Sequence, residues 1–165
     1  MDSLHALVQQ HIDIKPSTQI QIPYNRDQLD CICSSLFQAR DGAQLVAFFT
    51  QFGEEQLLRP EWRTEAVRLG YIMALYHAGQ YERLFSVITN SSFSERNYKD
   101  LQDLWYRSHY KENESKRQKE LGAVEKYRLR RKHPPPRSIW DGQETVYSFK
   151  ENSRKVGFKN FLKNI

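Results

Sequence analysis

Six cations stand close together between Lys126 and Arg137 (Lys126, Arg128, Arg130, Arg131, Lys132 and Arg137), with one histidine and no acid among them. Guanidinium and ammonium groups at that density suit contact with a phosphate backbone, where each neutralised phosphate releases a condensed counterion. A plainer role competes with this: cations beyond a helix end favour its negative dipole and keep a linker soluble. Pro134, Pro135 and Pro136 follow at once and stiffen the segment into an extended conformation that cannot continue a helix. A basic extended arm held just ahead of a helix matches an element that tracks phosphates or lies in a groove. The run RLRRK within it also has the make-up of a nuclear localisation signal.

Other chemistry is poorly supported. Seven glycines occur singly, so there is no glycine-rich phosphate loop, and no serine nucleophile elbow is present. His77 and His109 read as a helix C-terminal and a buried histidine rather than as ligands or bases. Glu54 with Glu55, and Glu112 with Glu114, read as solvated charges. Cys31 and Cys33 would point about 200° apart on a helix, which suits neither a disulfide nor a metal pair. No enzyme, cofactor, metal site or small-molecule substrate is expected. Sparse cysteine fits a reduced compartment, and no window approaches membrane-spanning length.

The elements that must position the basic run are helical. Asn25 with Gln28 forms a capping-box pattern, followed by Leu29, Ile32, Cys33, Leu36 and Phe37 at helical spacing. Asp41 to Phe52 repeats the pattern with Leu45, Val46, Phe48, Phe49 and Phe52. A third helix is expected from Pro60, in its first turn, to Gly79, as the left-handed residue beyond its end, with Trp62, Ala66, Leu69, Met73 and Tyr76 on one stripe. Gln80 to Thr89 follows as the second arm of a hairpin. Ser94 caps a fifth helix with Leu101, Leu104, Trp105 and Ser108 inward, running on as a solvated continuation to Leu121 and Gly122. No stretch alternates long enough for a sheet.

The expected fold class is therefore all-α: antiparallel helical hairpins, a basic extended linker and one C-terminal helix. Residues 1–23 read as a loosely held tail, 24–122 as the helical body, 123–140 as the linker and 141–165 as the last helix. Charge divides the same way. Residues 1–110 carry 10 Lys+Arg against 13 Asp+Glu, whereas residues 111–165 carry 15 against 7.

The runs LQDLWYRSHY (101–110) and LGAVEKYRLRRKHPPPRSIWDGQETVYSFKENSR (121–154) resemble the junction of the sine oculis (SIX) homeobox family, where a helical SIX domain passes into a homeodomain. The likeness extends upstream through DQLDCICSSL (27–36) and YHAGQYERLFSVI (76–88). It covers roughly residues 24–155, and IWDGQET with YSFKENSR is its most specific part. The resemblance implies a protein-interaction domain packed as in that family and a nuclear developmental transcription regulator. It also implies an Eyes absent type coactivator, bound through the first SIX-domain helix. Here that helix is Asp27 to Phe37, with Leu29, Ile32, Cys33 and Leu36 as candidates for a partner's groove, about half of them expected to be core instead.

Two departures qualify the implied DNA binding. Glu125 stands where the family commonly has glycine, placing an acid at the foot of the basic run. Beyond Arg154 the likeness fades, Gly157 sits inside the expected helix, and no W-F-x-N-x-R recognition helix appears. A homeodomain limited to its first helix is expected to bind DNA weakly and without sequence preference. Such a chain could equally act by contacts alone, competing with full-length relatives for coactivators.

Overall fold

A computed structural model describes residues 21–143. Among these residues all regular structure is helical, and the chain divides into two compact units at Ala78 and Gly79.

The first unit begins with α1 (Arg26–Gln38), fixed by the expected capping box. The Asn25 side chain accepts from the Gln28 N–H at 2.8 Å, and the Gln28 side chain accepts from the Asn25 N–H at 3.0 Å. α2 (Gly42–Phe52) is capped by Asp41, whose carboxylate accepts from the Gln44 N–H at 3.1 Å. Leu29, Cys33 and Phe37 of α1 face inward with Leu45, Phe48, Phe49 and Phe52 of α2. Tyr24 closes this cluster edge-on to Phe52, ring centroids 5.9 Å apart. A single turn, α3 (Glu54–Leu57), leads on to α4 (Glu65–His77), against which both α1 and α2 pack.

α4 corrects two expectations. It starts after Thr64, not at Pro60: the Thr64 hydroxyl accepts from the Val67 N–H at 3.3 Å and donates to Asp30, so a real cap outcompetes the proline. Pro60 and Trp62 lie in the preceding turn. Nor does α4 bury one stripe, because Val67 and every residue from Leu69 to Leu75 are buried. Close approach requires Gly70, where a Cβ would lie 3.1 Å from Leu45 and 3.2 Å from Cys33. Gly79 takes the expected positive φ, +74°.

The second unit holds α5 (Tyr81–Asn90), a 3-10 turn (Glu95–Asn97), α6 (Tyr98–Arg117) and α7 (Ala123–Lys132). Leu84 and Ile88 of α5 are buried, as are Leu101, Leu104, Trp105 and Ser108 of α6. The buried Ser108 hydroxyl donates to the Leu104 carbonyl at 2.6 Å. α6 ends at Gln118, in the left-handed region at φ +54°.

α7 is the main departure from the sequence reading, which places an extended arm there. Glu, Lys, Arg and Leu are good helix formers, and Glu125 reaches back to accept from the Gly122 N–H at 3.1 Å. The helix ends only at His133 (φ −124°, ψ 73°), the residue before the prolines. The segment that follows is then stitched down. Ile139 is fully buried, Gln102 Nε2 donates to its carbonyl at 2.7 Å, and Ser138 Oγ donates to the Ile88 carbonyl at 2.6 Å. The expected N-terminal tail up to residue 20 and the expected C-terminal helix from residue 144 lie outside the described residues.

Candidate nucleic-acid and partner interfaces

Because the basic run is helical, its cations fall into groups set by the 100° step between residues. Lys126 and Arg130 turn toward α6. Arg130 donates to the Tyr110 hydroxyl at 2.8 Å, and Lys126 Nζ stands 5.6 Å from the Tyr110 ring centroid. Arg131 lies over the Tyr127 ring at 6.0 Å, with Arg130 near the same ring at 5.9 Å. Arg137 donates to the Asp141 carbonyl at 3.2 Å and stacks over Trp140. Arg128 and Lys132 are exposed and border a cleft of about 210 Å³ between α6 and α7, shared with Asn113, Arg117, Leu121, Glu125 and Leu129. The six cations are thus not equivalent: Arg128, Arg131 and Lys132 reach out to solvent from α7 and Arg137 is exposed beyond its end, while Lys126 and Arg130 are half-buried on Tyr110.

The sequence reading missed what anchors this helix. His109 is sandwiched between Phe85 (centroids 4.0 Å apart) and His133 (4.2 Å), both nearly parallel, with Trp105 edge-on at 5.0 Å. Trp105 Nε1 donates to the His133 carbonyl at 3.1 Å, tying α6 to the residue that ends α7. Burial, and secondarily the facing His133, push the His109 pKa down from 6.5 to about 4. Its Nε2 is buried without a hydrogen-bond partner, which suits a neutral ring. The signal available in the sequence was aromatic spacing: Trp105 and His109 are one turn apart. Glu125, the unexpected acid, pairs with Arg117 at 3.4 Å besides capping α7.

On α1 the four candidate partner residues separate by face. Leu29 and Cys33 are fully buried in the first unit, one turn apart. Ile32 and Leu36, also one turn apart, are half-exposed at the edge of that arc. Burial, then the charge of Asp30, push the Cys33 thiol up to about 12, so it stays protonated. Cys31 is exposed. Among the described residues no group of three or more His, Cys, Asp or Glu is placed to hold a metal ion, and no helix is long and apolar enough to cross a membrane.

Residues 24–137 match a protein-family model described as the N-terminal SD domain of the transcriptional regulator SIX1. The chain is 51% identical over 146 residues to Homeobox protein unc-39 of Caenorhabditis elegans, covering 86% of this chain and 43% of that protein. It is 41% identical over 138 residues to human Homeobox protein SIX4, covering 84% of this chain and 17% of that protein. The mouse Homeobox protein SIX4 is likewise 41% identical, over 140 residues, 85% of this chain and 18% of that protein. The chain thus spans under half the length of each of these relatives. The matched region takes in α7 and the prolines, together with His133, whose carbonyl accepts from Trp105 Nε1. This chain belongs to the SIX homeobox family and carries its SD domain.

Proposed function

We propose that this protein is a nuclear developmental transcription regulator that works by recruiting a coactivator of the Eyes absent type through α1. The observation that carries the reading is the family match over residues 24–137, whose relatives are named homeobox proteins. Within α1, the partner contact falls to Ile32 and Leu36, since Leu29 and Cys33 are occupied in the core. Ile32→Glu abolishes capture of the coactivator while circular dichroism stays helical. Retained capture would remove α1 from the interface. Cys33→Glu, by contrast, places a charge in the core and unfolds the first unit.

DNA contact is the second part of the reading. The outward cations of α7 meet phosphates, a contact that positions a protein on nucleic acid without reading its bases. Contact through these cations is indifferent to sequence. In a gel shift, a SIX-type site and its scrambled counterpart shift alike; tight discrimination between them defeats this part without touching the coactivator part.

A further inference from the structure

Val124 and Tyr127 are the large hydrophobic residues most open to solvent among those described, at 63% and 43% exposure, and both lie on α7. At 100° per residue, Tyr127, Arg131, Val124, Arg128 and Lys132 follow one another around a sector of about 140° on the outward side of that helix. Arg128, Arg131 and Lys132 are exposed as well. The sector therefore interleaves two apolar side chains with cations: Arg131 lies between Tyr127 and Val124, and Arg128 and Lys132 lie on the far side of Val124. Alongside opens the cleft of about 210 Å³ that has Leu121 and Leu129 in its lining.

A phosphate backbone engages the cations but gains nothing from Val124. An acidic segment with its own apolar residues gains from both, burying Val124 and the Tyr127 ring while its carboxylates meet the three cations. Like charge disfavours the pairing of this face with the same face of a second copy. The chain's own residues 144–165 carry five cations against two acids, so charge disfavours them too. We propose that the outward face of α7 docks an acidic amphipathic segment of a partner protein, with apolar residues at helical spacing. The proposal concerns α7 alone; it rests on neither the coactivator reading of α1 nor the phosphate reading, with which it shares its three cations.

The test uses the full chain and three fluorescently labelled probes read by anisotropy. The first is a synthetic peptide of about 16 residues with Leu at i, i+3, i+4 and i+7 and Glu at most other positions. The second replaces each Leu with Ser at unchanged charge, and the third is a DNA duplex. The leucine peptide is expected to bind about tenfold tighter than the serine peptide. Val124→Ser and Arg128→Glu should each weaken the leucine peptide about tenfold, and Val124→Ser should leave duplex binding unchanged. Circular dichroism should show both variants as helical as the parent, since both side chains are exposed. Equal binding of the two peptides overturns the proposal, as does unchanged peptide affinity in Val124→Ser. Weakening of duplex and peptide alike by Val124→Ser also overturns it, because the face is then a nucleic-acid surface.

Discussion

His109 shows how one side chain can couple packing to pH. Its pKa stands near 4 in the folded chain against an ordinary 6.5, so between those values the unfolded chain binds a proton that the folded chain refuses. Stability is accordingly full above about pH 6.5 and falls as pH drops toward 4, by at most about 3 kcal/mol and less where residual solvent contact screens the charge. His109→Phe keeps a flat ring between Phe85 and His133 but removes the titration. Thermal melts at pH 7 and pH 4.5 should show a smaller pH-dependent loss of Tm in the variant than in the parent; an equal loss assigns the acid sensitivity elsewhere. The cysteines give a second measurement at this scale. Cys31 is exposed, whereas Cys33 is buried and held protonated, so a thiol reagent should modify one cysteine quickly and the other only on unfolding. Rapid modification of both would show α1 opening in the native state. Spacing placed Leu29, Ile32, Cys33, Leu36 and Phe37 on one broad face, but not which of them turn inward: Leu29, Cys33 and Phe37 are buried, whereas Ile32 and Leu36 sit at the edge. That Cys33 sits tight against Gly70 was not readable either, because it depends on which helices meet.

At the scale of elements, the capping box at Asn25 and the inward face of α6 were legible because both are local: a side chain three residues from its partner, and an apolar stripe at helical period. α7 was not legible, since Leu129 is one of few apolar residues in it and the charge run and prolines both point to an exposed arm. Tertiary contacts decided the matter, through Tyr110, Trp105 and the His109 stack. The start of α4 was misplaced for the opposite reason, a plausible local signal at Pro60 outdone by a better cap at Thr64. Glu125 is the handle for testing α7. Glu125→Gly removes its bond to the Gly122 N–H and its pairing with Arg117, and adds about 1 kcal/mol of helix propensity cost. Hydrogen exchange should then show reduced protection of the amides from Lys126 to Lys132, with those of Leu101 to Ser108 unchanged. Unchanged protection in α7 would mean that Tyr110 and Trp105 hold it without help from its cap. Gly70→Val should cost about 1–3 kcal/mol by urea melt, because the added methyls meet Leu45 and Cys33.

Across the whole molecule, charge is separated along the chain, with acids in excess over residues 1–110 and cations in excess thereafter. A linear count gives six phosphate contacts between Lys126 and Arg137, but the fold withdraws some of these cations. Lys126 and Arg130 are half-buried on Tyr110, whereas Arg137 stays exposed beside the Asp141 carbonyl and Trp140. Salt dependence separates the two counts, because each neutralised phosphate adds about −0.9 to the slope of log K against log salt. Six contacts in this segment would cost roughly 2,000-fold in affinity between 50 and 200 mM salt, whereas four, those of Arg128, Arg131, Lys132 and Arg137, would cost roughly 150-fold. The cations of residues 144–165 add their own share, so single variants are more telling than the total. Arg128→Ala, Arg131→Ala and Lys132→Ala should each flatten the slope by about 0.9 with little change in Tm. Lys126→Ala and Arg130→Ala should lower Tm and leave the slope nearly unchanged, since their side chains serve the packing of α7 on α6. If instead all five variants flatten the slope equally, the cations act as a flexible charge run and the helix has no part in sorting them.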